Sequence, residues 1–202
     1  MAGRIVVLIS GSGSNMDALA EACESGEVPG SVVAVLADRE CPGLGLAQAR
    51  GIVTKVVEMK GFPDRETWSD ALRSEVEAHD PNLVVSAGFM RILSPVFVDA
   101  FEGRLINLHP ALLPAFPGAH AVRDALAAGA TETGSTVHFV DREVDHGQTI
   151  LQEPVPIEPT DTEESLHTRI KAIEHRLLPQ ACRLLLEGKV RVDDGHVAIE
   201  GM

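Results

Sequence analysis

The chain has 202 residues, 45% of them hydrophobic, with 30 acidic against 17 basic side chains and a formal net charge of -13. That length and apolar content suit one α/β domain with a short appendage, and the acidic balance argues against a general hold on nucleic acid or on an anionic membrane surface. Three scattered cysteines, Cys23, Cys41 and Cys182, build neither a disulfide framework nor a zinc knuckle and suit a reduced, cytoplasmic protein. No apolar stretch approaches the roughly 20 residues of a membrane helix, so a soluble protein is expected.

Met1 to Arg4 lead into the apolar run Ile5 to Ile9, which ends in a Gly/Ser loop and reads as a first strand, not as a signal peptide. Continuous β-branched runs of this kind mark strands covered on both faces, and Val32 to Leu36, Ile52 to Val57 and Leu83 to Val85 repeat the pattern. Between them Met16 to Cys23, Gly43 to Arg50 and Pro63 to Ala78 read as helices, the last with Pro63 near its first turn. Such alternation predicts right-handed βαβ units and an open twisted sheet.

Beyond Gly88 the rhythm changes. Arg104 to Leu108 is a fifth strand, Pro110, Pro114 and Pro117 impose an irregular segment, and residues 119 to 128 read as helix. Strands around Thr136 to Val140 and Thr149 to Val155, separated by the charged loop Asp141 to Gly147, predict an antiparallel addition. Thr160 to Glu164 offers overlapping capping boxes for a long helix with Leu166, Ile170, Ile173, Leu177 and Leu184 as its apolar stripe and room for a kink before Pro179. Lys189 to Ile199, around Asp193-Asp194-Gly195, reads as a hairpin. The expected organisation is one folding unit over 1–188 with 189–202 as a tail packed on it.

The loop Ser10-Gly11-Ser12-Gly13-Ser14-Asn15 lies between a buried strand and a helix, where backbone N–H groups and the helix dipole favour an anion. A dinucleotide fingerprint wants a glycine where Met16 stands, although Asp38 after the second strand imitates a ribose-binding acid. An ATP-type loop wants a lysine that is missing. A monophosphate, a dinucleotide and a ligand-free turn therefore all stay open.

Asn107-Leu108-His109-Pro110 ends the fifth strand, at the carboxyl edge of the sheet where α/β ligands bind. Strand spacing points residues 107 and 109 to one side, so that an amide and a protonated imidazole could both donate to a polarised carbonyl. A structural histidine fits His109 as well. Val144-Asp145-His146-Gly147 supplies a carboxylate in a turn between strands, compatible with a partner for His109 or with an Asx turn. His138, on a strand leading toward Asp145, is a candidate supporting residue. A metal held by His109, His138 and Asp145 has no recognisable ligand spacing behind it, and none is expected.

The loop at 10–15, Gly88-Phe89-Met90-Arg91-Ile92-Leu93, Asn107-Leu108-His109-Pro110 and Asp145-His146-Gly147 follow one another in the order of a known family. With these four motifs in register, the chain from Ile5 to about Gly188 closely resembles the phosphoribosylglycinamide formyltransferases, folate-dependent transformylases of purine synthesis. The resemblance implies a Rossmann-like formyltransferase fold, mostly parallel with an antiparallel C-terminal part. It implies Asn107, His109 and Asp145 as catalytic residues, and the phosphate of phosphoribosylglycinamide (GAR) held by Gly11, Ser12, Gly13, Ser14 and Asn15 with Glu174. Arg65, Met90, Arg91, Ile92, Leu93, Asn107, Val140, Asp141 and Val144 are implied for the co-substrate 10-formyltetrahydrofolate, Arg65 at its glutamate tail, and family habit suggests a homodimer.

Asn107 and His109 are then expected to stabilise the formyl oxygen as the amine attacks, with Asp145 keeping His109 cationic. Three rivals stand beside this reading. A formyl-folate hydrolase uses the same triad on water but carries an extra amino-terminal domain, whereas the first strand here starts at Arg4; a formyltransferase of initiator transfer RNA needs a basic carboxyl-terminal domain; a non-catalytic nucleotide-binding module explains the glycine loop and Asp38 alone.

Overall fold

A computed structural model describes residues 2–193 and 195–201. The five β-branched runs become strands β1 (Gly3–Ile9), β2 (Gly30–Ala37), β3 (Val53–Val56), β4 (Leu83–Ser86) and β5 (Leu105–His109), all parallel. β6 (Glu132–Phe139) and β7 (Thr149–Pro156) add antiparallel to β5, giving one seven-stranded sheet in the order β3-β2-β1-β4-β5-β6-β7. The fold is therefore α/β, mostly parallel, with the expected antiparallel addition. The strand order reverses between β1 and β4, so their carboxyl ends open a crevice.

Both faces of the sheet are covered, which is why β1 reads as an unbroken apolar run. Ile5, Val7 and Ile9 pack with Met16 and Leu19 of α1 (Ser14–Glu24), Leu44 and Ala47 of α2 (Pro42–Ala49), and Leu177, Leu178 and Ala181 of α6 (Glu163–Leu186). Val6 and Leu8 face the opposite layer, where Trp68, Leu72 and Val76 of α3 (Arg65–Glu77) meet Phe97 and Val98 of α4 (Pro95–Ala100). α5 (Ala121–Ala127) sends Val122 into a smaller cluster with Val155, Leu166 and Ile170.

Three details differ from the sequence reading. Pro63 stays outside α3, because Asp64 caps it by accepting the Thr67 N–H at 2.8 Å. The cap of α6 is Thr162, whose hydroxyl accepts from Ser165 N while the Ser165 hydroxyl accepts Thr162 N–H, so Ser165 rather than a glutamate closes the box. α6 itself is the expected single long helix and includes the buried Pro179. The short α4 was not anticipated; Ser94 and Pro95 open it within a stretch too short to show a helical period.

The tail forms a hairpin of β8 (Val190–Asp193) and β9 (His196–Ile199), with Val190, Val197 and Ile199 packed against the larger core, while Asp194 lies outside the described residues. Among the described residues no helix is long and apolar enough to cross a membrane.

Candidate functional site

The glycine loop joins β1 to α1 at the crevice. Gly13 caps α1 with φ +75, a left-handed conformation that a side chain resists. A Cβ there would also lie 2.5 Å from Gly43 Cα at the start of α2, so backbone packs on backbone. Gly11 and Ser12 are exposed at the crevice, leaving peptide groups and the α1 N-terminus open to an anion. Asp17, which would repel that anion, is neutralised by Arg50 at 2.6 Å.

Asn15 turns into the protein and donates Nδ2–H to Glu174 Oε2 at 2.8 Å, joining α1 to the middle of α6 across 159 residues of sequence. Glu174 is only 3% exposed, and burial raises its carboxyl above the ordinary range despite the Asn15 donor. Asn15 Oδ1 is buried with no partner among the described residues. The loop and Glu174, both implicated in the sequence, are thus one local arrangement.

A cavity of about 320 Å³ opens beside the loop, between the segment 88–93 after β4 and the loop 140–145 after β6. Met90, Arg91, Ile92, Leu93, Val140, Asp141 and Val144 line it, as do Asn107, His109, His138 and Asp145. Met90, Ile92 and Val144 are 60%, 56% and 52% exposed, an unusual grouping of large apolar side chains around one opening. Arg65 is placed differently: it is exposed at the start of α3 and does not line this cavity.

At the cavity floor β5 presents Asn107 and His109 on one face, and the β5–β6 register sets His138 opposite Asn107. His138 donates Nδ1–H to the Phe139 carbonyl at 2.7 Å, which leaves Nε2 to accept from Asn107 Nδ2 at 3.2 Å. The amide nitrogen of Asn107 also reaches Asp145 Oδ1, at the limiting distance of 3.5 Å. Its second hydrogen is therefore weakly held and open to a ligand oxygen.

Asp145 adopts φ +54 and places its carboxylate among four partners. Oδ2 accepts the Gly118 N–H at 2.7 Å and lies 3.5 Å from His109 Nδ1; Oδ1 lies 3.6 Å from His138 Nε2 and meets Asn107. Burial alone would raise its pKa, but His138, the Gly118 amide and His109 hold it below the ordinary carboxylate value. Gly147 shapes the turn, since a Cβ there would fall 1.9 Å from the Phe139 carbonyl oxygen. Arg142 ties the same loop to Asp99 of α4 through contacts of 2.7 and 2.9 Å.

One electrostatic expectation is corrected. His109 is not kept cationic: burial pushes its pKa below the ordinary value, and this outweighs the Phe116 carbonyl and the Asp145 carboxylate, which raise it. Nε2 is 2.8 Å from the Phe116 carbonyl and so carries the proton of the neutral ring, while Nδ1 turns a lone pair toward Asp145. The ring is neutral yet framed by two acceptors, so one further proton on Nδ1 would be met by a carboxylate already in place.

Residues not foreseen in this role are Phe116, which holds φ +54 and supplies that carbonyl, Gly118, which anchors Asp145, and Ser135, whose hydroxyl donates to the His109 carbonyl at 3.3 Å. The three prolines beside His109 and the following Gly118 were the available signal; the Leu113–Pro114 peptide within that segment is cis. Among the described residues no group of three or more His, Cys, Asp or Glu side chains is arranged to hold a metal ion.

A family model described as formyl transferase matches residues 3–182. A phosphoribosylglycinamide formyltransferase of Mycobacterium tuberculosis (strain ATCC 25618 / H37Rv) is 49% identical over 189 residues, 94% of this chain and 87% of that protein. The crystal structure of glycinamide ribonucleotide transformylase 1 from Symbiobacterium toebii superposes with a TM-score of 0.96 at 42% identity, covering 98% of this chain and 93% of that one. A formyltetrahydrofolate deformylase from Pseudomonas syringae pv. tomato shares the architecture, with a TM-score of 0.91, at 26% identity, and this chain spans 66% of its length.

Proposed function

The chain belongs to the formyl transferase family, and from that premise we propose that it moves the formyl group of 10-formyltetrahydrofolate to the amine of GAR, giving formyl-GAR and tetrahydrofolate in purine synthesis. The observation that carries this reading is the meeting, at one crevice, of a glycine loop at a helix N-terminus with an apolar cleft floored by Asn107, His109 and Asp145. A phosphorylated acceptor and a flat heterocyclic donor need such adjoining sites.

The residues fit both ligands. Exposed Met90, Ile92 and Val144 offer apolar cover to a flat ring, and the buried, unpartnered Asn15 Oδ1 lacks a donor that a ligand hydroxyl would provide. The reduced folate supplies an activated formyl carbon. Gly11 to Asn15 with Glu174 bind the ribonucleotide, while Met90 to Leu93, Val140, Asp141 and Val144 hold the folate. Arg65 has the weakest support of the assigned residues, since it stands outside the cleft.

An α-amino group with a pKa of about 8 is roughly one-tenth neutral at pH 7, so generating the nucleophile costs little. Charge building on the formyl oxygen is the harder part, and the weakly held second hydrogen of the Asn107 amide is the donor for it, an effect worth roughly 3–4 kcal/mol. His138 fixes the orientation of that amide by accepting its other hydrogen. His109 Nδ1 then takes the proton that the amine releases, Asp145 stabilises the imidazolium so formed, and that proton passes on to the folate nitrogen as the adduct collapses, the carbon–nitrogen bond to the folate breaks and tetrahydrofolate leaves. Asp145 thereby favours the charged state that arises during reaction over the neutral resting ring, which is what a rate effect requires.

Purified chain incubated with GAR and 10-formyltetrahydrofolate is expected to produce formyl-GAR and consume folate only when GAR is present. Equal folate consumption without the amine would make the chain a hydrolase, the activity named for the deformylase neighbour. Tight NAD binding in preference to GAR would support a dinucleotide module, against which Asp38 speaks because Arg39 and Arg91 already occupy it at 2.7 Å each. A homodimer and a cytoplasmic location complete the reading, the first on family resemblance and the second on three free thiols; sedimentation at varied protein concentration tests the dimer.

A further inference from the structure

Asp38 offers nothing to a ribose. Its side chain is fully buried at the carboxyl end of β2, where Oδ2 takes Arg39 Nη2 and Arg91 Nε, each at 2.7 Å. The β1–β2 register pairs Ile9 with Ala37 and so brings Ser10 alongside Asp38, where its hydroxyl helps to lower the pKa of the same carboxylate. Ser10 Oγ in turn accepts the Met90 N–H at 2.8 Å, and the Ser10 N–H donates to the Gly88 carbonyl at 3.1 Å. One buried charge therefore grips two successive residues of the cleft wall, Arg91 directly and Met90 through Ser10. Ser10 is also the last residue before Gly11, so the same carboxylate touches the root of the anion loop. Burial opposes ionisation of Asp38, but Arg39, Ser10 and Arg91 together hold its pKa below the ordinary carboxylate value. Isolated buried charge is costly, and here every partner is a donor.

We propose that Asp38 is a positioning residue that fixes the Met90–Ile92 wall of the folate cleft against the glycine loop, so that donor and acceptor are held in register. This rests on the function proposed above. Arg39, with its guanidinium half in solvent, balances the charge of Asp38 but touches neither the cleft wall nor the loop in this network. The link therefore runs Arg91–Asp38–Ser10–Met90. Asp38→Asn keeps the volume but turns an NH₂ group toward three donors, and Ser10→Ala cuts the Met90 branch at its other end with the smallest change in packing.

The test is steady-state formyl transfer by the full chain, with kcat and KM for both substrates, for the wild type, D38N, S10A, the double variant and R39A. D38N and S10A are each expected to raise KM for 10-formyltetrahydrofolate about tenfold, with kcat at saturation within about twofold of wild type. The double variant should be no worse than the stronger single one, because both cut one link. R39A should keep the wild-type KM. A merely structural role would lower Tm and the active fraction, hence kcat, and leave KM in place. Should D38N not fold, S10A and R39A decide the matter. An unmoved KM in S10A, multiplying effects in the double variant, or an R39A as impaired as D38N would each overturn the proposal while wild-type turnover stands. Absence of formyl transfer by the wild type would instead overturn the functional reading and this inference with it.

Discussion

Replacing Asp145 by Asn probes the site at its junction. The amide fits the same volume, tolerates the left-handed backbone at φ +54, and keeps an oxygen to accept the Gly118 N–H, so the loop is expected to hold its place. What is lost is the charge 3.5 Å from His109 Nδ1. At an effective dielectric of about 20, unit charges at that range attract by on the order of 4–5 kcal/mol, before the cost of desolvating this largely buried pair is taken off. A loss of about 3–4 kcal/mol in the state where His109 carries the proton lowers kcat by about a hundredfold to a thousandfold. The pH profile tests the assignment of roles. Asp145 raises the pKa of His109, so its removal lowers it further. If His109 must be neutral to accept the proton, activity fails as pH falls through the His109 pKa, and D145N moves that acid limb to lower pH. Formyl transfer by both proteins, measured from about pH 5 to 9 with Tm as a check on folding, reads both effects. Near-normal kcat would remove Asp145 from the mechanism. Activity that instead fell with rising pH through the His109 pKa would restore the cationic-donor role and refute the proton-acceptor reading.

Three further outcomes follow from the same geometry. Burial raises the Glu174 pKa above its ordinary 4.5, so the unfolded chain gives up this proton first and stability is lost as pH rises past that value; E174Q should thus show a Tm advantage that appears above about pH 4.5, together with a raised KM for GAR, and a flat Tm difference across pH would contradict it. G13A forces a Cβ to 2.5 Å from Gly43 Cα at φ +75, which should cost about 1–3 kcal/mol and weaken GAR binding by calorimetry more than folate binding. W68F leaves the Val57 carbonyl without its 2.8 Å indole donor in a fully buried site, for an expected loss of about 2–3 kcal/mol in urea unfolding.

The parallel half of the fold was legible because each of its buried strands is a local run of β-branched residues, and Ile5 to Ile9 needs no distant partner to be read. The glycine loop and the Asn107/His109 pair were legible for a similar reason, since strand periodicity alone puts both side chains on one face. Their chemistry was less so. The pKa of His109 depends on how much water the segment 110–118 excludes, a tertiary quantity that a favourable carboxylate neighbour does not reveal. Asp38 was noticed without its role: its position after β2 is compatible with a ribose ligand, and only the approach of Arg91 from 53 residues away shows the carboxylate already taken. Pro63 and Thr160 to Glu164 misplaced their helix starts by small amounts, because neighbouring Asp, Thr and Ser side chains compete for the same orphan N–H groups. Phe116 and Gly118 act through backbone atoms, which side-chain identity does not announce.

The glycine-on-glycine contact between Gly13 and Gly43 bears on how such a chain could diverge. A side chain at Gly13 would meet the Gly43 main chain at 2.5 Å, and one at Gly43 would meet the Gly13 main chain at 2.8 Å as well as the Ile9 side chain at 2.7 Å, so trimming Ile9 alone cannot make room. A descendant that gave up its anionic ligand would still be obliged to keep both residues for the sake of folding. Retention of Gly13 in a relative is thus poor testimony that a phosphate is bound, whereas the exposed Gly11, which has no atom within 4 Å of its missing Cβ, is free to drift once the ligand is gone. Between divergent relatives, position 11 is the better historical record of the ligand and position 13 of the architecture.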